Sequence, residues 1–118
     1  MYSNASDNTG ATVAINKTGN IIAVGSSYYD GTEGTDSGMI ALFKYDSGAT
    51  ATNTSSGYYS HNDWEPLGTQ IEGAYSSNYF GLSIQMNDDG YTFVATGRGT
   101  GTVRHALVYR YSEELNEW

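Results

Sequence analysis

Three carboxylates, Asp30, Glu33 and Asp36, fall within the glycine-rich run DGTEGTD. Oxygens at such close spacing could ligate a hard cation such as Ca²⁺, and the same residues could equally form a solvated acidic loop. Two tyrosine pairs, Tyr28-Tyr29 and Tyr58-Tyr59, lie in polar surroundings. Exposed tyrosines present a large rigid face and a hydroxyl at low entropic cost, which suits contact with a protein or a glycan. Packing within the fold is the competing use. Tyr28, Tyr29, Asp30, Tyr58 and Tyr59 are therefore the candidate binding residues, and Asp30, Glu33 and Asp36 the candidate cation ligands. Catalytic chemistry has little support. Glu65, Glu72, Asp88 and Asp89 supply carboxylates, but no pair is marked as acid and base. His61 and His105 stand apart from each other and from any plausible nucleophile. The run GRGTG at 97–101 leads into a strand pattern rather than a helix, so it fails as a dinucleotide loop. No catalytic residue is expected.

The composition narrows the partners. The chain has 118 residues, a net charge of −8 and only 5 Lys and Arg, so a groove tracking a polyanion is excluded and nucleic acid is not expected. An anionic membrane surface is disfavoured for the same reason, and no apolar run approaches the roughly 20 residues of a spanning helix. With 0 Cys there is no disulfide framework, no thiolate metal site and no cysteine nucleophile. Asn4, Asn16 and Asn53 begin Asn-x-Ser/Thr triplets, which matter only in a eukaryotic secretory pathway.

The elements that must position these residues recur as a unit. GATVAINKTG (10–19) lines up with GLSIQMNDDG (81–90), so that Gly10, Asn16 and Gly19 fall on Gly81, Asn87 and Gly90. Each copy is followed by a second apolar run, NIIAVG or YTFVATG, and then a third, MIALFKY or HALVYRY, leading to Trp64 or Trp118. On this alignment Gly25 matches Gly97, with one extra residue in the later strand. Alternation of Val13 and Ile15 with Thr12 and Ala14 is the period-two pattern of a strand. The Asn-x-x-Gly turns suit hairpins, with Gly free to take positive φ and Asn bonding the turn backbone. A fourth strand is readable over Trp64–Gly73, and Pro66, lacking an N–H, places it at a sheet edge. The expectation is an all-β chain of four-stranded antiparallel blades. The units run over 1–63, lacking its leading strand and carrying long loops at 26–38 and 46–63, and over 64–118. Trp64 and Trp118, at equivalent positions, are expected to pack between units.

In that order and spacing the motifs resemble the propeller repeats related to the FG-GAP repeats of integrin alpha chains. The elements that carry the resemblance are Trp64, Leu67-Gly68, Ile71-Glu72-Gly73, Phe80-Gly81, Asp89-Gly90, Ala23-Val24-Gly25 and Phe43-Lys44-Tyr45 with Tyr109-Arg110-Tyr111. The chain departs from the family at Gly25-Ser26-Ser27 and Gly97-Arg98-Gly99, where Gly-Ala-Pro would stand, and it has no run of alternating aspartates. Calcium binding is therefore not carried over. The resemblance implies about two blades of a larger β-propeller, given as a fragment or as a protomer completed by a second copy. It also implies an extracellular or cell-surface setting.

The functional expectation is a non-catalytic binding or adhesion module that recognises protein or glycan through its inter-strand loops. Two alternatives belong to other classes. One is part of a propeller enzyme acting on polysaccharide with residues from other blades; the other is a sugar-binding protomer that closes a ring by oligomerising. Expected partners are a protein or glycan ligand and neighbouring blades or a second copy. No cofactor is expected beyond the Ca²⁺ considered at the acidic loop.

Overall fold

The computed structural model describes residues 6–46, 64–100 and 103–118. Tyr58, Tyr59 and His61, with most of the 46–63 loop, lie outside the described residues, as do Asn4 and Asn53. Eight strands follow in order: β1 (Thr9–Ile15), β2 (Ile21–Ser26), β3 (Met39–Tyr45), β4 (Trp64–Pro66), β5 (Ile71–Glu72), β6 (Ser83–Met86), β7 (Thr92–Arg98) and β8 (Arg104–Arg110). Among the described residues the chain is all-β. The first sheet runs β1-β2-β3-β4 with β5 also on β3, and the second runs β6-β7-β8. Every strand pairing is antiparallel.

Two asparagines set the leading hairpins. Asn16 Oδ1 accepts from the amides of Asn20 and Ile21 at 3.0 Å each, while Gly19 takes φ 74°. Asn87 Oδ1 accepts from the amides of Gly90 and Thr92 at 3.1 Å each, while Gly90 takes φ 82°. The side chain satisfies turn amides that the ladder cannot reach, and only glycine enters the left-handed region without cost. The two turns also touch, since the Lys17 amide donates to Asp88 O at 3.2 Å and Asn16 Nδ2 to Asp89 O at 3.2 Å. Asn16 is buried in this network, which withdraws its amide from modification.

The ladders repeat as well as the residues. Val13 pairs with Val24 and Ile15 with Ile22, as Ile84 pairs with Ala95 and Met86 with Phe93. Ala23 lies opposite Leu42 as Val94 lies opposite Val108. This register corrects one alignment. Gly25 lies opposite Thr12 and Ile40, as Thr96 lies opposite Ser83 and Ala106, so Gly25 answers to Thr96 rather than to Gly97. The extra residue therefore falls in the loop beyond the strand.

The fourth strand is two short pieces along the edge of β3. Phe43 pairs with Pro66 and Ile40 with Ile71, and the chain leaves the ladder between them with Gly68 at φ 73°. Pro66 sits on the edge strand, where its missing N–H costs no ladder bond. Residues 64–72 thus belong to the first sheet, although they open the second repeat in sequence.

The sheets stack front to back. Pleating puts Ile21, Ala23, Ile40 and Leu42 on one side of the first sheet, and Ile84, Phe93 and Ala95 on one side of the second. These residues, with Leu67 and Phe80, form one buried cluster. Burying a side chain the size of Phe93 contributes about 1.5–3 kcal/mol. Trp118 closes the cluster: its indole N–H donates to Leu67 O at 2.8 Å across the sheets, and its ring lies 5.0 Å from Phe93 and 5.3 Å from Tyr111. Trp64 makes the equivalent contact with Tyr45 at 5.5 Å, within its own sheet.

These two tryptophans should differ in a urea melt. Trp118→Ala is expected to cost about 3 kcal/mol and Trp118→Phe about 1 kcal/mol, the latter for the lost hydrogen bond. Trp64→Ala should cost less than half as much as Trp118→Ala. Equal losses at the two positions would contradict the inter-sheet role of Trp118.

Candidate functional site

Two connections and the start of a third meet at one end of the stacked sheets: 27–38 between β2 and β3, 73–82 between β5 and β6, and Gly99-Thr100 after β7. The first two run side by side. Thr35, Asp36 and Ser37 offer their carbonyls to the amides of Ser77, Tyr79 and Phe80 at 2.8, 2.9 and 3.0 Å. Contact this close requires glycine. A Cβ on Gly73 would stand 1.9 Å from Ser37 O, and one on Gly38 would stand 2.3 Å from Phe80 N. Asn78, 1% exposed, fills the turn: its Oδ1 accepts from the Ala74 amide at 3.1 Å and its Nδ2 donates to Arg98 O.

Within this arrangement Asp36, Ser77 and Tyr79 hold φ of 54°, 60° and 50°. A non-glycine residue in the left-handed region costs about 1 kcal/mol or more, and three of them here are held by the surrounding hydrogen bonds. Tyr28 meets Tyr79 edge-on at 5.3 Å, and the Arg98 guanidinium lies 4.5 Å over the Tyr79 ring. The Tyr75 hydroxyl donates to Arg98 O at 2.8 Å, and its ring lies 6.4 Å from His105. Tyr75, Ser76, Ser77, Tyr79, Arg98 and Thr100 line a cavity of about 450 Å³. It combines flat aromatic faces, hydroxyls and one cation.

The expected site residues divide. Tyr28 stands in this cluster and is exposed. Tyr29 is half-buried, and its backbone carbonyl accepts from the Gly38 amide at 3.0 Å. Asp30 Oδ1 accepts from the Asp36 amide at 2.9 Å and braces the same loop. Among the described residues no three His, Cys, Asp or Glu side chains gather closely enough to hold a metal ion. Within the acidic loop Asp30 is engaged by the Asp36 backbone, and Asp30 and Glu33 are exposed and Asp36 partly exposed at the surface. Tyr75, Tyr79 and Arg98 were not among the expected residues. The run AYSSNYFG, with two tyrosines framing Ser-Ser-Asn, was the available signal.

Glu72 ties the acidic loop to the sheet. Its Oε2 accepts from the Thr32 amide at 2.8 Å and hydroxyl at 2.9 Å, and its Oε1 accepts from Gln70 Nε2 at 3.0 Å. Burial pushes its carboxyl pKa up, but the hydrogen bonds from Thr32 and Gln70 together outweigh this and hold it below its ordinary value. Elsewhere, the hydrogen bond from Lys44 to the Tyr91 hydroxyl, 3.1 Å across the sheets, holds the Lys44 pKa up. Burial pushes up the Tyr109 phenol. None of these groups forms an acid–base pair, and nothing among the described residues positively indicates an enzyme. Nor is any helix among them long and apolar enough to cross a membrane.

Because the folded pKa of Glu72 lies below its unfolded value, its stabilisation is complete above the unfolded value and is lost as pH falls through the folded one. Glu72→Gln should lower hydrogen-exchange protection of the Thr32 amide at neutral pH by about tenfold, the loss of a charge-assisted bond. The difference from the parent protein should vanish once acid has protonated Glu72. A difference that persists unchanged below that point would show that the carboxylate charge is not what holds the loop.

Set beside family models, curated proteins and solved structures, the chain matches none of them, so its function has to be argued from its own residues.

Proposed function

We propose that this chain is a non-catalytic binding module with propeller-type sheets, and that its loop end recognises a glycan. The observation that carries this reading is the cavity where Tyr79 lies under the Arg98 guanidinium and beside Tyr28, with Ser76, Ser77 and Thr100 on its wall. Sugars present an apolar C–H face and a rim of hydroxyls. A tyrosine face takes the first, and hydroxyl and guanidinium groups take the second through directional hydrogen bonds. A volume of about 450 Å³ lies in the range of small-ligand sites, roughly 300–1,000 Å³.

The strained backbone supports the same reading. Tyr79 and Ser77 hold left-handed φ at the cavity wall, and such strain is concentrated at ligand clamps and switch regions. Preorganised side chains lose little entropy when a ligand arrives. An adhesive role at the cell surface or in the extracellular space fits a module of this kind and is part of the proposal, as is the propeller relationship of the sheets.

Binding to a panel of immobilised neutral and acidic glycans tests it. The chain should retain at least one glycan, and Arg98→Ala and Tyr28→Ala should each weaken that binding about tenfold, ~1.4 kcal/mol, without lowering the melting temperature appreciably. Retention of no glycan, or equal retention by Arg98→Ala, would overturn the reading. Capture of a protein at the same residues with no glycan bound would replace it with protein recognition.

A further inference from the structure

The wall of the loop-end cavity carries a single charged side chain. Arg98 lines it beside the hydroxyl and aromatic groups of Tyr75, Ser76, Ser77, Tyr79 and Thr100. Among the described residues no carboxylate or carboxamide stands in that wall, although the chain has 13 Asp and Glu against 5 Lys and Arg. Acceptors in the adjoining segments are spent elsewhere. Asp30 accepts from the Asp36 amide, and Glu72 is engaged by Thr32 and Gln70. The Asn78 carboxamide is buried and gives both its ends to the backbone, Oδ1 to the Ala74 amide and Nδ2 to Arg98 O.

Arg98 is fixed at its base and unspent at its tip. Its amide donates to Asn78 O, and its carbonyl accepts from the Tyr75 hydroxyl and from Asn78 Nδ2. The guanidinium lies 4.5 Å over the Tyr79 ring, and no carboxylate among the described residues pairs with it. Contact with a ring stabilises the charge without using the N–H donors, which stay available to a ligand. A guanidinium has donors and no acceptor, and its planar fork matches a carboxylate through two parallel bonds. The hydroxyls beside it supply the complement. Ser76 Oγ donates to Thr35 O at 2.9 Å and the Tyr75 hydroxyl donates to Arg98 O, so each oxygen is left to accept, as the hydroxyls of a sugar require.

We infer that the sugar seated in this cavity carries a carboxylate, bound by the Arg98 fork, while the Ser76 and Tyr75 oxygens accept from its hydroxyls. The inference rests on the glycan reading of the same site and names the class of sugar. A neutral sugar would offer only hydroxyls to the strongest donor of the wall, whereas charge-assisted bonds are about twice as strong as neutral ones. A densely charged polysaccharide does not fit. One cation cannot offset the repulsion of a chain whose net charge is −8. At physiological salt that repulsion is screened beyond ~8 Å, so a single carboxylate at the tip of Arg98 is governed by the guanidinium.

Matched pairs of oligosaccharides read the outcome: one member ends in a single uronic acid, and the other is the same compound with that carboxyl reduced to the alcohol. Binding to the full chain should favour the acid about tenfold, and the preference should shrink as salt is raised. Arg98→Gln should bind the two members equally, as weakly as the parent chain binds the alcohol. Arg98→Lys keeps the charge but loses the fork, and should retain only part of the preference. Arg98 is exposed, so the fold should tolerate both changes; circular dichroism melts check this. Equal binding of acid and alcohol by the parent chain would overturn the inference and leave the glycan reading standing. So would a preference that survives Arg98→Gln, since another group would then read the carboxylate. Binding of neither member of any pair overturns it as well, and the glycan reading falls with it only if the wider glycan panel is not retained either.

Discussion

The front-to-back contact between the two sheets is the constraint on which the rest of this structure depends. Neither sheet can bury an apolar face alone, and the two meet through non-equivalent sides. Ile21, Ala23 and Leu42 come from the back of one, Ile84, Phe93 and Ala95 from the front of the other. The contact uses one face of each sheet, the back of the first and the front of the second. Strands β2 and β3, central in the first sheet, read as almost continuous apolar runs and are its most buried strands.

The same contact brings backbone against backbone at one end. Gly38 and Gly73 allow the 27–38 and 73–82 connections to lie within hydrogen-bonding distance, and any side chain at Gly73 would collide with Ser37 O. Once those segments are parallel, buried Asn78 locks them to β7, and the turn that accommodates it forces Ser77 and Tyr79 into left-handed conformations. The aromatic cavity is thus a consequence of sheet stacking, and its geometry is inherited from the core. The binding role proposed for this end depends on side chains held in place before a ligand arrives.

The turns at the opposite end show how local and tertiary demands can share one residue. Asn16 caps its own hairpin through Oδ1 and reaches the other unit's turn through Nδ2. Asn87 performs the first task in its own hairpin. Repetition of the local device places the two turns side by side, and the spare donor of one then links them.

Much of the fold was legible in the order of residues. Alternation at Val13 and Ile15, the Asn-x-x-Gly turns and the position of Pro66 specify strands, hairpins and an edge, because each acts through the chemistry of a few neighbouring residues. The recurrence of Gly10, Asn16 and Gly19 at Gly81, Asn87 and Gly90 marks two like units, though the gap after β7 misplaced Gly25 against Gly97 until the ladder fixed the register. The site was less legible. Tyr28 could be picked out as an exposed aromatic, but its meeting with Tyr79 and Arg98 depends on segments far apart in the chain. Short-range patterns determine which residues form strands and which turns reverse them. Which loop tips converge, and whether a carboxylate is left for a ligand or consumed by a backbone amide, is decided only when the sheets stack, because that packing sets the distances.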